Sequence, residues 1–154
     1  MQWFTKTFDQ LDINQLYEIL KLRVDVFVVE QTCYYPELDD LDRHEEARHV
    51  FAYEGGQLIG YLRCLAPGQV YDNDSAIGRV VIATPARGRN LGHELIQQGI
   101  IACENSWPEH NIHMSAQEHL QKYYLQHGFK TVSEPYLEDD IPHISMLREI
   151  TPST

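Results

Sequence analysis

The segment that most constrains the fold is a strand, a short basic turn and a helix that follow one another without a linker. Residues 75–84 read SAIGRVVIAT, and this run of β-branched and small apolar residues is typical of a strand. Proline, glycine and asparagine then interrupt any regular pattern as far as Asn90. A strand that leads straight into an amphipathic helix predicts a sheet with helices packed against it. Residues 89–107 predict that helix, with a buried side formed by Leu91, Leu95, Ile96, Ile100 and Cys103.

The remaining elements extend this arrangement along the chain. Residues 12–31 predict a first helix with a capping box at Asp12 and Gln15. With a glycine-pair hairpin at 55–56, the element order is β-α-β-β-β-α-β-α-β-β. We therefore expect one α+β domain over residues 1–154, with a mixed central sheet of about seven strands flanked by helices. The apolar side of the first helix is expected to consist of Ile13, Leu16, Tyr17, Leu20, Val24, Phe27 and Val28.

Charge and composition argue against several classes of protein. The formal net charge is -11 at pH 7, whereas general nucleic-acid binding needs a basic face. No stretch approaches the ~18 apolar residues of a membrane span, and the N-terminus lacks the apolar core of a signal peptide. Cys33, Cys64 and Cys103 lie far apart and the histidines show no ligand spacing, so we expect reduced thiols and no metal site. These features predict a cytoplasmic protein that binds neither nucleic acid nor membrane.

The basic turn is unusual in so acidic a chain. Residues 79–96 contain Arg79, Arg87 and Arg89 but a single acid, Glu94. A helix N-terminus leaves backbone N–H groups unpaired and carries partial positive charge, and glycines let the backbone close around an anion. The turn therefore predicts a site for a phosphate or pyrophosphate, with an ordinary turn bearing surface arginines as the alternative. The nucleotide-binding patterns GxxxxGK[ST] and GxGxxG are both absent.

Three separated motifs resemble one superfamily of acyltransferases. Arg87-x-x-Asn90-x-Gly92 resembles the R/Q-x-x-G-x-G/A signature of the GNAT superfamily, with an asparagine in place of a glycine. Asparagine is among the residues that best tolerate a positive φ, so the departure is mild. The pattern Y-x-x-x-G-F that begins at Tyr124 resembles a helix end of the same superfamily. The segments RVDVFVVEQTCYYPELDDLD, IGRVVIATPARG and EDDIPHISM resemble its ElaA-like branch, and the resemblance covers residues 2–150.

The resemblance implies a sheet that splits between its fourth and fifth strands, IGRVVIA and NIHMSA, with acetyl-coenzyme A as the acyl donor in the split. Backbone groups of the fourth strand would bind the pantetheine amides in the manner of an added strand. The turn amides would hold the pyrophosphate, and no metal is implied. The implied cofactor-binding residues are Val80, Val81, Ile82, Arg87, Gly88, Arg89, Asn90, Leu91, Gly92, His93, Gln117 and Tyr124.

The reaction that the resemblance implies is attack of a primary amine on the thioester. An alkylammonium group has a pKa of ~10.4, so a base must remove a proton first. Tyr124 is the implied proton donor to the leaving thiolate, with a strand N–H near Ile82 stabilising the oxyanion. Tyr123 is expected to pack beside Tyr124, and sequence alone leaves open the reverse assignment. Glu30 and His143 are the candidates for the base, with an ion pair, a cap, a buried hydrogen-bonded histidine or a wall of the acceptor pocket as alternatives.

Two acidic segments bear on the acceptor. ELDDLDRHEE and EPYLEDD are expected to border one cleft, and a cleft of one charge concentrates ligands of the opposite charge. We therefore expect a cationic amine, such as a polyamine, an aminosugar or a lysine side chain. Two solvated loops far from the chemistry are the alternative. The strand arginines Arg63 and Arg79 are expected to form pairs on the sheet surface.

Two other functions fit the same residues. A coenzyme A-binding or regulatory module without catalysis would have the same fold, although the presence of Tyr124 favours an enzyme. A nucleotide-phosphate binding protein of another class is the more distant alternative. The sequence decides neither the identity of the acceptor nor whether the chain forms a homodimer.

Overall fold

The structure, a computed structural model, describes residues 1–150 and contains a mixed eight-stranded sheet with helices packed on it. This confirms the predicted α+β architecture. The additional strand, β7, forms within the acidic segment EPYLEDD. The predicted domain extends to residue 154, and residues 151–154 lie outside the described residues. The strands are β1 Gln2–Lys6, β2 Arg48–Glu54, β3 Gln57–Leu65, β4 Ser75–Ile82, β5 Ile112–Gln117, β6 Lys130–Thr131, β7 Tyr136–Glu138 and β8 Ile141–Arg148.

Three α-helices connect the strands. The first helix begins with the predicted capping box, in which the Asp12 carboxylate accepts the backbone N–H of Gln15 at 2.7 Å. Over Val24–Glu30 this helix continues with π-helical hydrogen bonding, so its predicted extent is confirmed although its second half is wound more loosely. The α-helices are α1 Ile13–Arg23, α2 Leu91–Ser106 and α3 Gln121–Leu125.

The sheet separates into two halves between β4 and β5. The strand order is β1-β2-β3-β4-β5-β8-β6, and β7 also pairs with β8. The strands β4 and β5 are parallel and pair only at Ser75 with Ile112 and at Ala76 with His113. All other strand pairs are antiparallel. Beyond Ala76 the two strands diverge, which confirms the predicted split.

Helices cover both faces of the first half of the sheet. The predicted apolar side of α2 is buried in full, against residues of β2, β3 and β4 such as Val50, Leu62 and Ile77. On the opposite face α1 and its π-helical continuation pack over Phe51 and Tyr61. This sandwiched half holds β4 firmly, while its cleft-facing edge remains free of a strand partner beyond the first two residues.

The predicted apolar side of α1 is buried only in part, since Leu16, Leu20, Val24, Phe27 and Val28 are half-buried. Ile13 and Tyr17 are 85% and 69% exposed, whereas Ile19, Arg23 and Val26 are buried. Both sets recur at steps of three and four residues, so periodicity alone does not choose between them. The buried arginine decides the rotation of the helix, because its guanidinium must reach carboxylates that lie beneath α1.

A buried ion-pair network supplies those carboxylates and joins the segment after α1 to the sheet. Arg23 Nε lies 2.8 Å from Glu37 Oε2, and its Nη1 lies 2.7 Å from Asp42 Oδ1. Arg63 on β3 contacts Asp42 at 3.0 Å and Asp39 at 2.8 Å. Burial by itself would raise the pKa of Asp42, but the hydrogen bonds and charges of Arg23 and Arg63 outweigh burial and lower that pKa.

The network corrects two predictions. In the segment ELDDLDRHEE, Glu37 and Asp42 are buried and bound to arginines, so these two are not free charges at a cleft, whereas Asp40, Glu45 and Glu46 are exposed. Arg63 pairs inside the protein rather than on the sheet surface, and Arg79 joins the same network with its Nε 2.7 Å from Glu37 Oε2. A buried carboxylate and a buried guanidinium each need a partner of opposite charge, which the sequence pattern does not reveal.

Candidate active site

The basic turn between β4 and α2 presents unpaired backbone N–H groups. Gly88 and Asn90 have φ values of 81° and 58°, so the chain reverses direction sharply before the helix. Asn90 forms no side-chain cap, and within residues 1–150 the backbone N–H groups of Gly88 to Gly92 donate to no other group. The N-terminus of α2 adds partial positive charge at the same place. This arrangement suits an anion with several oxygens.

Gly92 allows Tyr123 to close over the turn. A Cβ atom at Gly92 would lie 2.6 Å from the Tyr123 hydroxyl oxygen, so any side chain there would displace the tyrosine. The turn and Tyr123 enclose a cavity of about 310 Å³. Its lining consists largely of the residues predicted to hold the pyrophosphate, namely Ile82, Ala86, Arg87, Gly88, Asn90, Leu91, Gly92, His93 and Tyr123.

Both arginines of the turn form two-pronged ion pairs with glutamates. Arg87 Nη1 and Nη2 lie 2.7 and 2.8 Å from the two carboxylate oxygens of Glu30. Arg89 contacts Glu54 through two bonds of 2.8 Å each. The hydrogen bond and the charge of Arg87 lower the pKa of Glu30, which makes this carboxylate a weaker base while the pair is intact.

A second cavity, of about 910 Å³, occupies the split in the sheet. Residues 76–82 of β4 line one side and residues 114–117 of β5 line the other. Val80, Val81 and Ile82 thus face Gln117 across the cavity. The two cavities form one groove, since they share Ile82, Arg87, Gly92 and Tyr123.

The free edge of β4 offers backbone groups to this groove. The N–H of Ala83 donates to the Ile59 carbonyl of β3 at 2.9 Å. Because alternate residues of an antiparallel strand face the same neighbour, Ile82 directs its own N–H and C=O away from β3 and toward the split. The Ile82 carbonyl accepts a hydrogen bond from Arg87 Nε at 3.1 Å, in agreement with that orientation.

Two adjacent tyrosines line the cavity in different environments. Tyr124 is 4% exposed and packs edge-on against Phe129. Burial, and to a lesser degree Tyr123, raises the pKa of Tyr124, so its hydroxyl stays protonated and able to donate. Tyr123 is more exposed, and burial raises its pKa to about 12. Tyr124 is therefore the residue that packs in the core, and Tyr123 is the one that contacts the turn. The sequence had favoured Tyr123 as the packing residue.

His143 lies at the β8 side of the cavity and is 8% exposed. Its Nδ1 is 2.7 Å from the Ile141 carbonyl, which only accepts hydrogen bonds, so Nδ1 carries a proton. Its Nε2 lies 3.3 Å from Glu138 Oε2. Nε2 is thus the ring nitrogen that faces the Glu138 carboxylate and the cavity.

The cavity brings together all three predicted catalytic residues, because Glu30, Tyr124 and His143 all line it. Sequence reasoning missed several of their neighbours, which lie in connections without periodicity. The Cys33 thiol, for example, is 4.0 Å from the Asp139 carbonyl, so the segment after α1 meets the β7–β8 turn over the cavity. Lining residues to which the sequence assigned no role include Cys33, Tyr35, Tyr71 and Ser115, whereas Glu138 and Asp139 belong to the segment EPYLEDD that was expected to border the cleft.

Comparison with known proteins decides the family. Residues 19–150 match the family model of the acetyltransferase (GNAT) domain. The chain belongs to the GNAT family. It is 37% identical over 153 residues to the protein ElaA of Escherichia coli K12, with 97% of each chain covered. The crystal structure of Escherichia coli ElaA superposes with a TM-score of 0.90 over 97% of this chain and 100% of that chain.

Other GNAT structures agree with this assignment. A Pseudomonas aeruginosa acyl-CoA N-acyltransferase is 46% identical and has a TM-score of 0.91, with 96% of this chain and 99% of that chain covered. An aminoglycoside 6'-N-acetyltransferase complexed with coenzyme A has a TM-score of 0.73 at 15% identity, over 98% and 99% of the two chains, and shares the fold alone. The ElaA-like resemblance is confirmed, and the family and fold identify the chain as a GNAT acyltransferase.

Within residues 1–150 no helix combines the length and the apolar character needed to span a membrane. In the same residues no three His, Cys, Asp or Glu side chains come together as a group able to hold a metal ion.

Proposed function

We propose that the protein transfers an acetyl group from acetyl-coenzyme A to the nitrogen of a primary amine. The observation that carries the proposal is the continuous groove from the unpaired amides of the turn to the cavity lined by Tyr124 and His143. Unpaired N–H groups at a helix N-terminus fit a diphosphate, and a free strand edge fits the amides of an extended pantetheine arm. The GNAT neighbour crystallised with coenzyme A supports the same choice of donor.

The side chains of the cavity have separable roles in this proposal. Acetyl-coenzyme A, when bound, supplies a thioester whose carbonyl carbon is open to attack. His143 Nε2 takes a proton from the ammonium group, directly or through water, and Glu138 stabilises the imidazolium. Tyr124 donates its hydroxyl proton to the leaving sulfur. The Ile82 N–H would donate to the carbonyl oxygen as negative charge develops there.

The acceptor that we propose is a cation. The three arginines that line the cavity are all paired with carboxylates, which cancels their charge. Glu138 and Asp139 line the opposite end, so the remaining charge there is negative and attracts an ammonium group. Tyr35 and Tyr71 add aromatic faces, which also bind cations.

Turnover of acetyl-coenzyme A with a panel of amines tests the proposal. Free thiol release would be measured with spermidine, an aminoglycoside and a lysine peptide, and with neutral and anionic amines as controls. We expect a cationic acceptor to be best, with kcat/KM falling as salt rises from ~0.1 to ~1 M while kcat changes little, because salt screens the attraction.

The other outcomes separate the alternatives. Binding of coenzyme A without turnover of any amine would favour a non-catalytic module. A neutral or anionic amine as the best acceptor would reject the cationic acceptor alone. Thermal stabilisation by ATP or NAD but not by coenzyme A would reject the donor and, with it, the reaction.

A further inference from the structure

The Arg87 side chain touches both halves of the groove. Its Nη atoms hold the Glu30 carboxylate, and its Nε donates to the Ile82 carbonyl at the end of β4. Arg87 lines the cavity of the turn and also the cavity of the split, whereas Glu30 lines only the second. A single guanidinium therefore lies between the place for a diphosphate and the place for an acceptor.

The Arg87–Glu30 pair is open to competition. The two side chains are 39% and 45% exposed, and exposed ion pairs of this kind are weak. A diphosphate on the amides of Gly88 to Gly92 would carry more negative charge than one carboxylate and would be supported by the α2 dipole. The same anion would compete with Glu30 for Arg87, because a guanidinium binds phosphate through the same paired N–H groups.

Resting on the proposed function, we propose that Arg87 exchanges between Glu30 and the diphosphate of the donor, so that donor binding frees the Glu30 carboxylate to hold the ammonium group of the acceptor. In this arrangement Glu30 is a positioning residue for the acceptor. Its negative charge is masked by Arg87 until the donor is bound. The acceptor then binds more tightly to the donor complex than to the free protein, so the donor binds before the acceptor.

The chain provides a matched control for this exchange. Arg89 and Glu54 form a second two-pronged pair in the same turn, with exposures of 47% and 39%. Glu54 does not line the cavity of the split. Removing the Glu54 carboxylate therefore disturbs an equivalent ion pair without touching the acceptor end.

The direct test is a carbon-13 NMR titration of the glutamate carboxyl groups with coenzyme A itself as the probe. The Glu30 signal is assigned by its absence in Glu30→Gln. In free protein, Arg87 lowers the pKa of Glu30. Saturating coenzyme A should raise that pKa toward the ordinary value of ~4.3. In Glu54→Gln the titration of Glu30 and its response to coenzyme A should be unchanged.

Calorimetry supplies a second readout. Glu30→Gln removes the competitor for Arg87 and should bind coenzyme A about 2- to 5-fold more tightly, the range that an exposed ion pair is worth. In turnover with spermidine, the same variant should raise KM at least about 10-fold with a smaller effect on kcat.

The failures are distinguishable. If coenzyme A binds but the pKa of Glu30 stays low, the exchange is overturned and the proposed function stays intact. The same holds if coenzyme A binds no more tightly to Glu30→Gln than to wild type. Absence of coenzyme A binding to the wild-type protein overturns both.

Discussion

At the scale of single residues, the role of an ionisable side chain in this protein follows from its partner. Glu30 is exposed but bound to Arg87, and Asp42 is buried between two arginines. For Tyr124, burial is the main cause of the raised pKa, and Tyr123 contributes less. A buried phenol with a raised pKa keeps its proton across the physiological range, as a proton donor requires.

Replacement of Tyr124 by phenylalanine separates catalysis from packing. Tyr124→Phe keeps the ring against Phe129 and removes only the hydroxyl. We expect turnover to fall about 10²-fold or more, with little change in coenzyme A affinity, as for loss of a proton donor. The rate would be measured by thiol release and the affinity by calorimetry.

Tyr123→Phe is the control for that variant. Its hydroxyl lies over Gly92, so we expect its removal to change turnover much less. Equal turnover in Tyr124→Phe and wild type would show that Tyr124 serves the core alone. A larger loss in Tyr123→Phe would exchange the two assignments.

At the scale of elements, the turn and the first residues of α2 act as one unit. Positive φ values at Gly88 and Asn90 aim consecutive amides at one point, and the helix dipole adds to them. The close approach of Tyr123 requires that Gly92 have no side chain. Within residues 1–150 the backbone N–H groups of Gly88 to Gly92 donate to no other group, which leaves them free.

A negative side chain in this unit should abolish donor binding. Gly92→Glu places a carboxylate where the diphosphate is expected and displaces Tyr123, so we expect no measurable coenzyme A binding by calorimetry. Gln97→Glu adds the same charge to an exposed position further along α2 and should bind normally. Unchanged affinity in a folded Gly92→Glu variant would reject the diphosphate site.

At the scale of the whole molecule, the buried ion-pair network fixes the wall of the acceptor cavity. Arg23 from α1 and Arg63 from β3 meet carboxylates of the intervening segment. Arg63 and Arg79 also line the cavity. The stability of the fold and the shape of the site therefore depend on the same charges.

Loss of one buried carboxylate should be costly. Asp42→Asn leaves Arg23 and Arg63 short of a partner, and we expect the free energy of unfolding to fall by about 3 to 5 kcal/mol in urea titrations. Asp40→Asn is the matched control, because the Asp40–Arg43 pair is exposed. We expect it to change stability by about 0.5 kcal/mol or less.

The same network predicts the response to acid. The folded-state pKa of Asp42 lies below its ordinary value of ~3.9, so the unfolded state binds more protons in that range. The stabilisation is therefore complete above about pH 4 and is lost as pH falls through the lowered pKa. Unfolding measured from pH 6 to pH 2 should show this loss in wild type and a shallower one in Asp42→Asn. If stability falls equally steeply with pH in wild type and in Asp42→Asn, Asp42 is not a cause of the loss of stability in acid.

The sequence by itself determined the features that depend on local pattern. The strand–turn–helix segment, the buried side of α2 and the split between β4 and β5 followed from periodicity, from glycine and asparagine placement, and from motif resemblance. The positive φ at Asn90 was likewise expected from its residue type. Apart from the split, which only the family resemblance implied, each of these properties resides in a few consecutive residues, where the chemistry of one turn or one helix face suffices.

The pairing of charged groups, in contrast, depends on the three-dimensional arrangement of distant segments. The side of α1 that carries Arg23 faces the protein interior, where its guanidinium binds two carboxylates. These partners lie 14 and 19 residues further along the chain. Arg87 binds Glu30, which lies 57 residues earlier in the chain. The Glu138 carboxylate lies near His143 because β7 pairs with β8. Such pairings join segments that no local period relates, since electrostatic partners are chosen by position in space rather than by spacing in the chain.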